Sequence, residues 1–317
     1  MAASRKFGDL SSPRGQLQTH SRTSWALGSD VSITALHADE RVAQAAIDNA
    51  FTELELVENV MSIYRPESEL SRLNRNGVLA NPHPYFVEVL TASQAMSLLS
   101  GGAFDITVQP LWSLYTAAQK SKRLPTDDEI ALARSRVDWR RVEISASRIQ
   151  LHGDGTAITL NGIAQGYAAD RARAALAKHG IEHALINAGE MEAIGAKASG
   201  EPWNIGIEHP RLAAACISLA KLADRALATS GDYATSFTPD HRANHLFDPH
   251  TGRSPTTLAS VSIAASTAME ADALSTAVFV LGPSAGLRLV YEASGADAFF
   301  VLKDGSTLAT DNFPLAV

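Results

Sequence analysis

Asp272 and Thr276 are the residues of this chain whose types and spacing point most directly to chemistry. They lie four positions apart in a segment predicted to be helical, so their side chains fall on one face of its first turns. A carboxylate beside a hydroxyl offers the oxygen ligands that a hard cation such as Mg2+ prefers. Two structural roles compete: an early Asp offsets the helix dipole, and a helical Thr often bonds its own backbone.

His245 is the best candidate for a general base, because imidazole, with a pKa of about 6.5, exchanges protons near neutral pH. A single histidine before Leu246 and Phe247 can equally be a hydrogen-bonded structural residue, so both roles stay open. The chain lacks a Gly-x-Ser-x-Gly elbow, which disfavours a serine hydrolase. It also lacks His-Glu-x-x-His, and Cys216 is its only cysteine, which disfavours a zinc enzyme.

Glycine turns with polar neighbours follow several predicted strands, and such strand ends tend to meet at one cleft. A cleft with few basic residues would bind phosphate more readily through Mg2+ than through Arg or Lys. The turn at 161–162 also precedes a predicted helix whose free amides suit a phosphate, although a plain strand-turn-helix joint has the same pattern. The turns span residues 101–105, 159–166, 187–190, 229–232 and 248–252.

The elements that must position these residues follow from apolar spacing and from helix-end signals. Helices are predicted from Asp39 to Met61, from Pro84 to Leu99 and after a capping box at 126–129. The helix that carries Asp272 is predicted to end at Gly282-Pro283. Strands are predicted after Gly101-Gly102 and before Asn161, among others. Because strands often follow one another without an intervening helix, the pattern favours an α+β fold with mixed or antiparallel sheets.

Composition narrows the class of protein. With 317 residues, 45% of them hydrophobic and 19% charged, the chain is an ordinary globular protein with a sizeable core. Its formal charge of -7 argues against a general nucleic-acid surface. The sequence has no run of eighteen apolar residues, so it predicts no membrane-spanning helix. Residues 1–24 are expected to form a flexible arm, and they lack the apolar stretch of a secretory signal.

Six segments stand out in order along the chain. They are Met61–Asn74 (MSIYRPESELSRLN), Gly102–Thr107 (GAFDIT), Gly162–Asp170 (GIAQGYAAD), Thr229–Tyr233 (TSGDY), His245–Gly252 (HLFDPHTG) and Asp272–Thr276 (DALST). Each segment is loose by itself, but the ordered set is specific: together they resemble the ApbE family of FAD:protein FMN transferases, over roughly residues 25 to 305. The Leu-Asn-Gly-Ile-Ala-Gln-Gly run is also similar to relatives associated with nitrous-oxide-reductase maturation.

The resemblance implies an ApbE-like, T-fold-like α+β domain over 25–317, with the active-site cleft between two α/β subdomains. It also implies a reaction in which FAD is split at its pyrophosphate, FMN is joined through a phosphoester to a Thr or Ser of a partner protein, and AMP leaves. Asp272 and Thr276 would then be Mg2+ ligands, with the backbone oxygen of Ala164 as a third, and His245 would take the proton of the acceptor hydroxyl. The residues expected near FAD are Leu27, Tyr64, Ala103, Phe104, Asp105, Thr159, Gln165, Thr229 and Gly231.

Departures from the family pattern leave two further functions open. Thr159, Asn161 and Gln165 stand where the family usually has Asp, Gly and Lys, and Gly189-Glu190-Met191 stands for a Gly-Gly-Asp-like turn. Gln165 can donate a hydrogen bond but brings no positive charge to a phosphate. A FAD pyrophosphatase that yields FMN and AMP, or a non-catalytic flavin-binding or maturation protein, therefore remain alternatives to the transferase.

Partner and location follow from the resemblance alone. It implies an acceptor flavoprotein subunit of a membrane redox system, similar to NosR, NqrC or RnfG. Relatives are commonly exported, so the bacterial periplasm is the expected location. No signal peptide is visible in the sequence, and a cytoplasmic location stays an alternative.

Overall fold

The computed structural model describes residues 16–316. Helices and antiparallel strands both contribute, so the predicted α+β class with flanking helices is confirmed. The strands are β1 Gln18–Ala26, β2 Ser29–His37, β3 Val78–Ala80, β4 Val142–Ile144, β5 Arg148–Leu151, β6 Ala184–Asn187, β7 Met191–Ile194, β8 Trp203–Glu208, β9 Cys216–Leu222, β10 Ala226–Gly231, β11 Leu258–Ala265, β12 Asp297–Leu302 and β13 Thr307–Ala309. The helices are α1 Glu40–Met61, α2 Glu69–Asn76, α3 Pro84–Leu99, α4 Gln109–Lys120, α5 Asp127–Arg134, α6 Ala164–Lys178 and α7 Ala268–Glu292.

The main sheet has eight strands in the order β1-β2-β6-β7-β10-β11-β12-β13, and neighbouring strands are antiparallel. Ser32 of β2 pairs with Asn187 of β6, and Leu227 of β10 pairs with Met191 of β7. This register places the β1–β2 turn, the β6–β7 turn and the end of β10 at the same edge of the sheet. Because β10 pairs with β7 only through Ala226 and Leu227, its last residues extend past β7 toward the β6–β7 turn.

The sheet is covered on both faces. Helices α1, α6 and α7 pack on one face and bury the largest hydrophobic core. The two-stranded ribbon β8-β9 covers the other face, where Trp203 and Phe313 contribute to a second core. Leu79 and Ile149, from the small sheet β3-β5-β4, belong to the largest core. The small sheet and the helices of the main sheet therefore pack into the same core.

Local sequence signals explain several helix starts. Asp39 caps α1 by accepting the N–H groups of Arg41 and Val42. At the start of α5, the Thr126 hydroxyl and the Glu129 carboxylate form the reciprocal bonds of a capping box. Each cap satisfies backbone donors that the first helical turn leaves free. Both predicted starts are thus confirmed, and so is the helix from Pro84 to Leu99.

The predicted flexible arm over residues 1–24 is wrong for its last part. Residues 1–15 lie outside the described residues, but residues 18–24 lie in β1, which pairs with β2 along its whole length. His20 is the only fully buried residue of β1. An edge strand with so little buried surface shows no apolar alternation, and this alternation is the signal that identifies strands in a sequence.

Two predicted strands are also wrong. The segment after Gly101-Gly102 forms a 3-10 turn at Ile106–Val108, because the Asp105 carboxylate caps the N–H of Thr107. Residues 157–160, before the Asn161 turn, join no strand in the described part of the chain. In both places side-chain caps and loop contacts satisfy the backbone instead of a sheet.

Helix α7 has the length and apolar composition of a membrane-spanning helix, but the fold accounts for its composition. It packs against α6, β10 and β11, and 56% of its most apolar eighteen-residue stretch is buried. Gly282, with φ 73° and ψ −179°, interrupts the helix at the predicted Gly282-Pro283 stop, after which a second helical segment continues. We therefore describe α7 as a core helix.

Candidate active site

The first turn of α7, which precedes Asp272 and Thr276 in the chain, is held against α6. Thr267 caps α7 by accepting the N–H of Glu270. Asp170 of α6 adds a second cap, since its two carboxylate oxygens accept the N–H groups of Ala268 at 2.7 Å and Met269 at 3.0 Å. Two cross-helix bonds at the first turn hold the following turn of α7 in a defined position.

That following turn brings the three predicted metal ligands together. Asp272 is 4% exposed, and its Oδ2 accepts the N–H of Gly166 at 3.0 Å. A Cβ on Gly166 would lie 2.8 Å from Asp272 Cβ, and one on Gly162 would lie 2.7 Å from Thr276 Oγ1. Only glycine permits so close an approach of backbone to side chain. Ala164 lies between these two glycines, so it is held beside Asp272 and Thr276.

The end of β10 brings hydroxyl and backbone amide groups beside the predicted cation ligands. Ser230 Oγ lies 3.3 Å from Thr276 Oγ1, within hydrogen-bonding distance. The neighbouring Thr229 donates its backbone N–H to Glu190 Oε2 at 3.1 Å. Gly231 ends the strand at this edge. The TSGDY segment is therefore adjacent to the predicted cation ligands, as the sequence suggested.

Glu190, in the β6–β7 turn, is a member of this site that sequence reasoning missed. Burial raises its pKa well above the usual range, and the negative charge of Asp272 raises it further. Burial also raises the pKa of Asp272 to about 7, against the effect of the Gly166 N–H bond. The signal in the sequence is a carboxylate three residues after the strand Ala184–Asn187, next to a glycine in the turn.

The donor set fits a hard divalent cation. Asp272, the Thr276 hydroxyl and the backbone near Ala164 present oxygen atoms, which Mg2+ prefers, and they are few enough to leave positions for water and phosphate. Within residues 16–316, no group of three or more His, Cys, Asp or Glu is placed to hold a metal. The described residues therefore form no zinc-type cluster of His, Cys, Asp or Glu.

Gln165 and Thr159 lie on either side of the turn that begins α6. A Cβ on Gly189 would lie 2.7 Å from Gln165 Cδ, so the Gln165 side chain packs directly over the β6–β7 turn. Thr159 donates its N–H to the carbonyl of Ile106 at 2.8 Å, and its hydroxyl accepts the N–H of Asn161 at 3.3 Å. The 159–166 turn is thereby joined to the 187–190 turn and to the 3-10 turn Ile106–Val108 that follows residues 101–105.

Of the residues expected near FAD, Tyr64 is exposed, whereas Leu27 is half-buried against the core. Leu27 adopts φ 55° in the β1–β2 turn, at the sheet edge where β10 ends. The Tyr64 side chain is 71% exposed just after α1, so its ring is free to stack on a ligand. Their contact with FAD stays a prediction.

Phe104 and Asp105 have structural contacts that the sequence did not reveal. Phe104 is 3% exposed and belongs to the largest core, and its neighbour Ala103 is also buried. The Asp105 carboxylate accepts the N–H and the hydroxyl of Thr107 and the N–H of Trp139. These side chains stabilise the 101–105 turn. Their contact with FAD stays a prediction.

His245 is arranged as a neutral imidazole. Its Nδ1 lies 3.2 Å from the carbonyl oxygen of Thr235, which can only accept, so Nδ1 carries the proton and Nε2 is free to act as a base. The Trp112 ring packs edge-on at 6.4 Å between centroids. Burial lowers the pKa of His245, although the Thr235 bond and the charge of Asp232 oppose this. The imidazole is therefore suited to accept a proton at neutral pH.

Comparison with known proteins decides the family. A sequence profile of the ApbE family matches residues 27–300. The chain belongs to the ApbE family. Among its ApbE relatives, the FAD:protein FMN transferase of Vibrio cholerae is 32% identical over 275 residues, which cover 84% of this chain and 81% of the relative. The FAD:protein FMN transferase of Treponema pallidum is 32% identical over 284 residues, covering 82% and 78%.

Solved ApbE structures have the same fold. The ApbE protein of Thermotoga maritima gives a TM-score of 0.82 at 30% identity, covering 93% of this chain and 97% of that one. The apo flavinyl transferase ApbE of Pseudomonas stutzeri gives a TM-score of 0.83 at 30% identity, covering 98% and 100%. Agreement over nearly the full length confirms the fold that the six sequence segments implied.

Proposed function

We propose that this ApbE-family enzyme is a Mg2+-dependent flavin transferase that moves FMN from FAD to a Thr or Ser hydroxyl of a partner protein and releases AMP. The observation that carries the proposal is that the glycines on either side of Ala164 pack against the side chains of Asp272 and Thr276. The FAD:protein FMN transferase relatives support the substrate class.

Each residue of the site has a role in this reaction. Asp272, Thr276 and the Ala164 carbonyl would hold Mg2+, which when bound neutralises charge on a pyrophosphate. The acceptor hydroxyl oxygen forms a bond to the phosphorus of the FMN half of FAD. The bond from that phosphorus to the oxygen bridging to AMP breaks, and AMP leaves with the electron pair. His245 Nε2 takes the hydroxyl proton.

The partner and the location are part of the same proposal. The acceptor is a flavoprotein subunit of a membrane redox system, and the reaction takes place in the periplasm. Support for both comes from the family resemblance of the sequence segments. Export of a tagged full-length precursor, followed by cell fractionation, would test the location.

A transfer assay tests the function and separates it from the two alternatives. The full chain, FAD, Mg2+ and an acceptor carrying a target Thr should give a flavin-fluorescent acceptor band and AMP in equal amounts. Steady AMP release without a band would indicate a FAD pyrophosphatase. Tight FAD binding with no AMP would indicate a non-catalytic flavin-binding protein.

Asp272→Ala is the matching variant. Because it deletes the charged ligand, we expect Mg2+-dependent turnover to fall at least about 100-fold. AMP release would be followed by chromatography at several Mg2+ concentrations. Unchanged kinetics would remove Asp272 from the mechanism.

A further inference from the structure

Asp272, which is buried, and Glu190, which is half-buried, are two neighbouring carboxylates without a cationic partner in the described part of the chain. Three other buried carboxylates have one: Glu192 with Arg173, Asp232 with Arg211 and Lys303, and Asp297 with Arg225. Asp105, also buried, accepts three hydrogen bonds from Thr107 and Trp139 instead. Within residues 16–316, no Lys, Arg or His lies at salt-bridging distance from Asp272 or Glu190. A buried negative charge is costly without a partner, so a bound cation would stabilise the buried Asp272 and the half-buried Glu190.

A continuous series of contacts places both carboxylates on one small region. Glu190 Oε2 bonds to the backbone of Thr229, and the next residue, Ser230, contacts the Thr276 hydroxyl. Thr276 is one helical turn from Asp272, which bonds to Gly166 at the start of α6. Gln165 precedes Gly166 and packs over Gly189, next to Glu190. The series of contacts therefore begins and ends at the β6–β7 turn.

The groups around this region add no positive charge of their own. Gln165 is neutral, whereas the family pattern has a lysine at this position. Ser230 and Thr276 contribute hydroxyls that can accept or donate. Compared with that pattern, this chain loses a cation at Gln165 and gains an anion at Glu190, and it loses acidic residues at Thr159 and Met191. The net charge is therefore unchanged, but a carboxylate stands at Glu190 and Gln165 supplies no positive charge to neutralise it.

We propose that Glu190 is a second carboxylate of the cation site and contributes, with Asp272, to binding the divalent cation. The inference rests on the proposed function, which assigns the cation to Asp272 and Thr276. A hard divalent cation is the ligand that fits this pair, because such cations prefer oxygen ligands, and the two carboxylates and the neighbouring hydroxyls supply them. A merely structural Glu190 would serve only to accept the Thr229 N–H.

Glu190→Gln separates these two roles. The amide oxygen of Gln can still accept the Thr229 N–H, so the turn is retained, while the negative charge is lost. Glu192→Gln is the matched control, because Glu192 lies two residues further along and is paired with Arg173 instead of facing the site. The control variant should be less stable but should keep its cation affinity.

The measurement is calorimetric titration of the full chain with Mn2+, without FAD, for the wild type, Glu190→Gln, Glu192→Gln and Asp272→Asn. Melting temperatures show that each variant is folded at the titration temperature. We expect Glu190→Gln to weaken Mn2+ binding by about 10- to 100-fold, and Asp272→Asn to abolish it.

Equal Mn2+ affinity in Glu190→Gln and wild type, with binding lost in Asp272→Asn, would overturn the role of Glu190 while leaving the proposed function intact. A wild type that binds no Mn2+ and releases no AMP would overturn both. Weaker binding in Glu190→Gln but not in Glu192→Gln supports the second carboxylate. Equal weakening in both variants would show a general loss of fold and would also overturn it.

Discussion

At the scale of single residues, His245 is the group whose surroundings define its chemistry most fully. The Thr235 carbonyl fixes the tautomer, and burial keeps the ring neutral. A neutral imidazole with a free Nε2 is the form that a general base requires. The structural role that the sequence left open is also present, because the same Thr235 bond anchors the loop.

Replacing His245 by Gly tests the base directly. We expect transfer to fall by at least about 100-fold, since a positioned general base contributes that much or more, while FAD binding persists. His152→Gly is the control, because His152 is exposed and pairs with Glu143 on the surface. Flavin fluorescence on the acceptor band measures transfer, and fluorescence quenching measures FAD binding. A fully active His245→Gly variant would reject the base assignment.

The pH dependence of transfer follows from the same residue. The pKa of His245 is lowered from 6.5, so the ring loses its proton at a lower pH than a free histidine and stays neutral through pH 7. Protonation removes the base, so kcat/KM should fall as the pH drops through the lowered pKa. Asp272, whose pKa is about 7 without a cation, would also titrate here, so the profile is measured at saturating Mg2+, which would keep that carboxylate ionised. Under that condition the limb should lie below pH 6.5. A profile whose acidic limb lies above that value would contradict the neutral imidazole.

At the scale of elements, the close approach of α6 and α7 builds the candidate cation site. Gly162 and Gly166 let the start of α6 meet the Asp272 turn of α7, and Asp170 fixes the same pair of helices one turn further on. The loss of either glycine would move backbone atoms that the proposed ligands depend on.

Gly166→Ala tests this approach. The added Cβ would lie 2.5 Å from the carbonyl carbon of Ala268 and 2.8 Å from Asp272 Cβ. Because backbone cannot move aside easily, we expect a loss of about 3 kcal/mol in the free energy of unfolding and weaker Mn2+ binding. Urea unfolding and calorimetry measure the two effects.

Gly180→Ala is the control for this substitution. Gly180 has φ 74° at the end of α6, and a Cβ there meets nothing within 4 Å. Its cost is backbone strain alone, about 1 kcal/mol, and its cation affinity should equal that of the wild type. If Gly166→Ala had the same small effect, the helices would have room that the structure does not show.

At the scale of the whole molecule, Asp232 connects parts of the chain that lie far apart in sequence. Asp232 follows β10 and is fully buried. Its carboxylate accepts hydrogen bonds from Nη1 and Nη2 of Arg211, at 2.7 and 2.8 Å. Lys303, just after β12, lies 2.8 Å from it. The network joins the β8–β9 ribbon to the main sheet beside the loop that carries His245.

Asp232→Ala should therefore destabilise the whole fold. Removing one partner of a buried ion pair costs about 3 kcal/mol or more, since the remaining charges lose their compensation. Asp48→Ala is the control, because its pair with Arg22 is on the surface and is worth at most about 1 kcal/mol. Urea unfolding midpoints measure both. Equal midpoints for the two variants would contradict the importance of the buried network.

The sequence by itself determined what depends on near neighbours along the chain. Apolar spacing and capping residues fixed α1, α3 and α5, and the four-residue spacing of Asp272 and Thr276 fixed their shared face, because these depend on local geometry. The tertiary structure decided which turns meet. Glu190 and Thr229 are 39 positions apart, and Gly166 and Asp272 are 106 apart. Such contacts depend on strand register and helix packing, and so neither Glu190 nor the edge strand β1 could be read from local pattern.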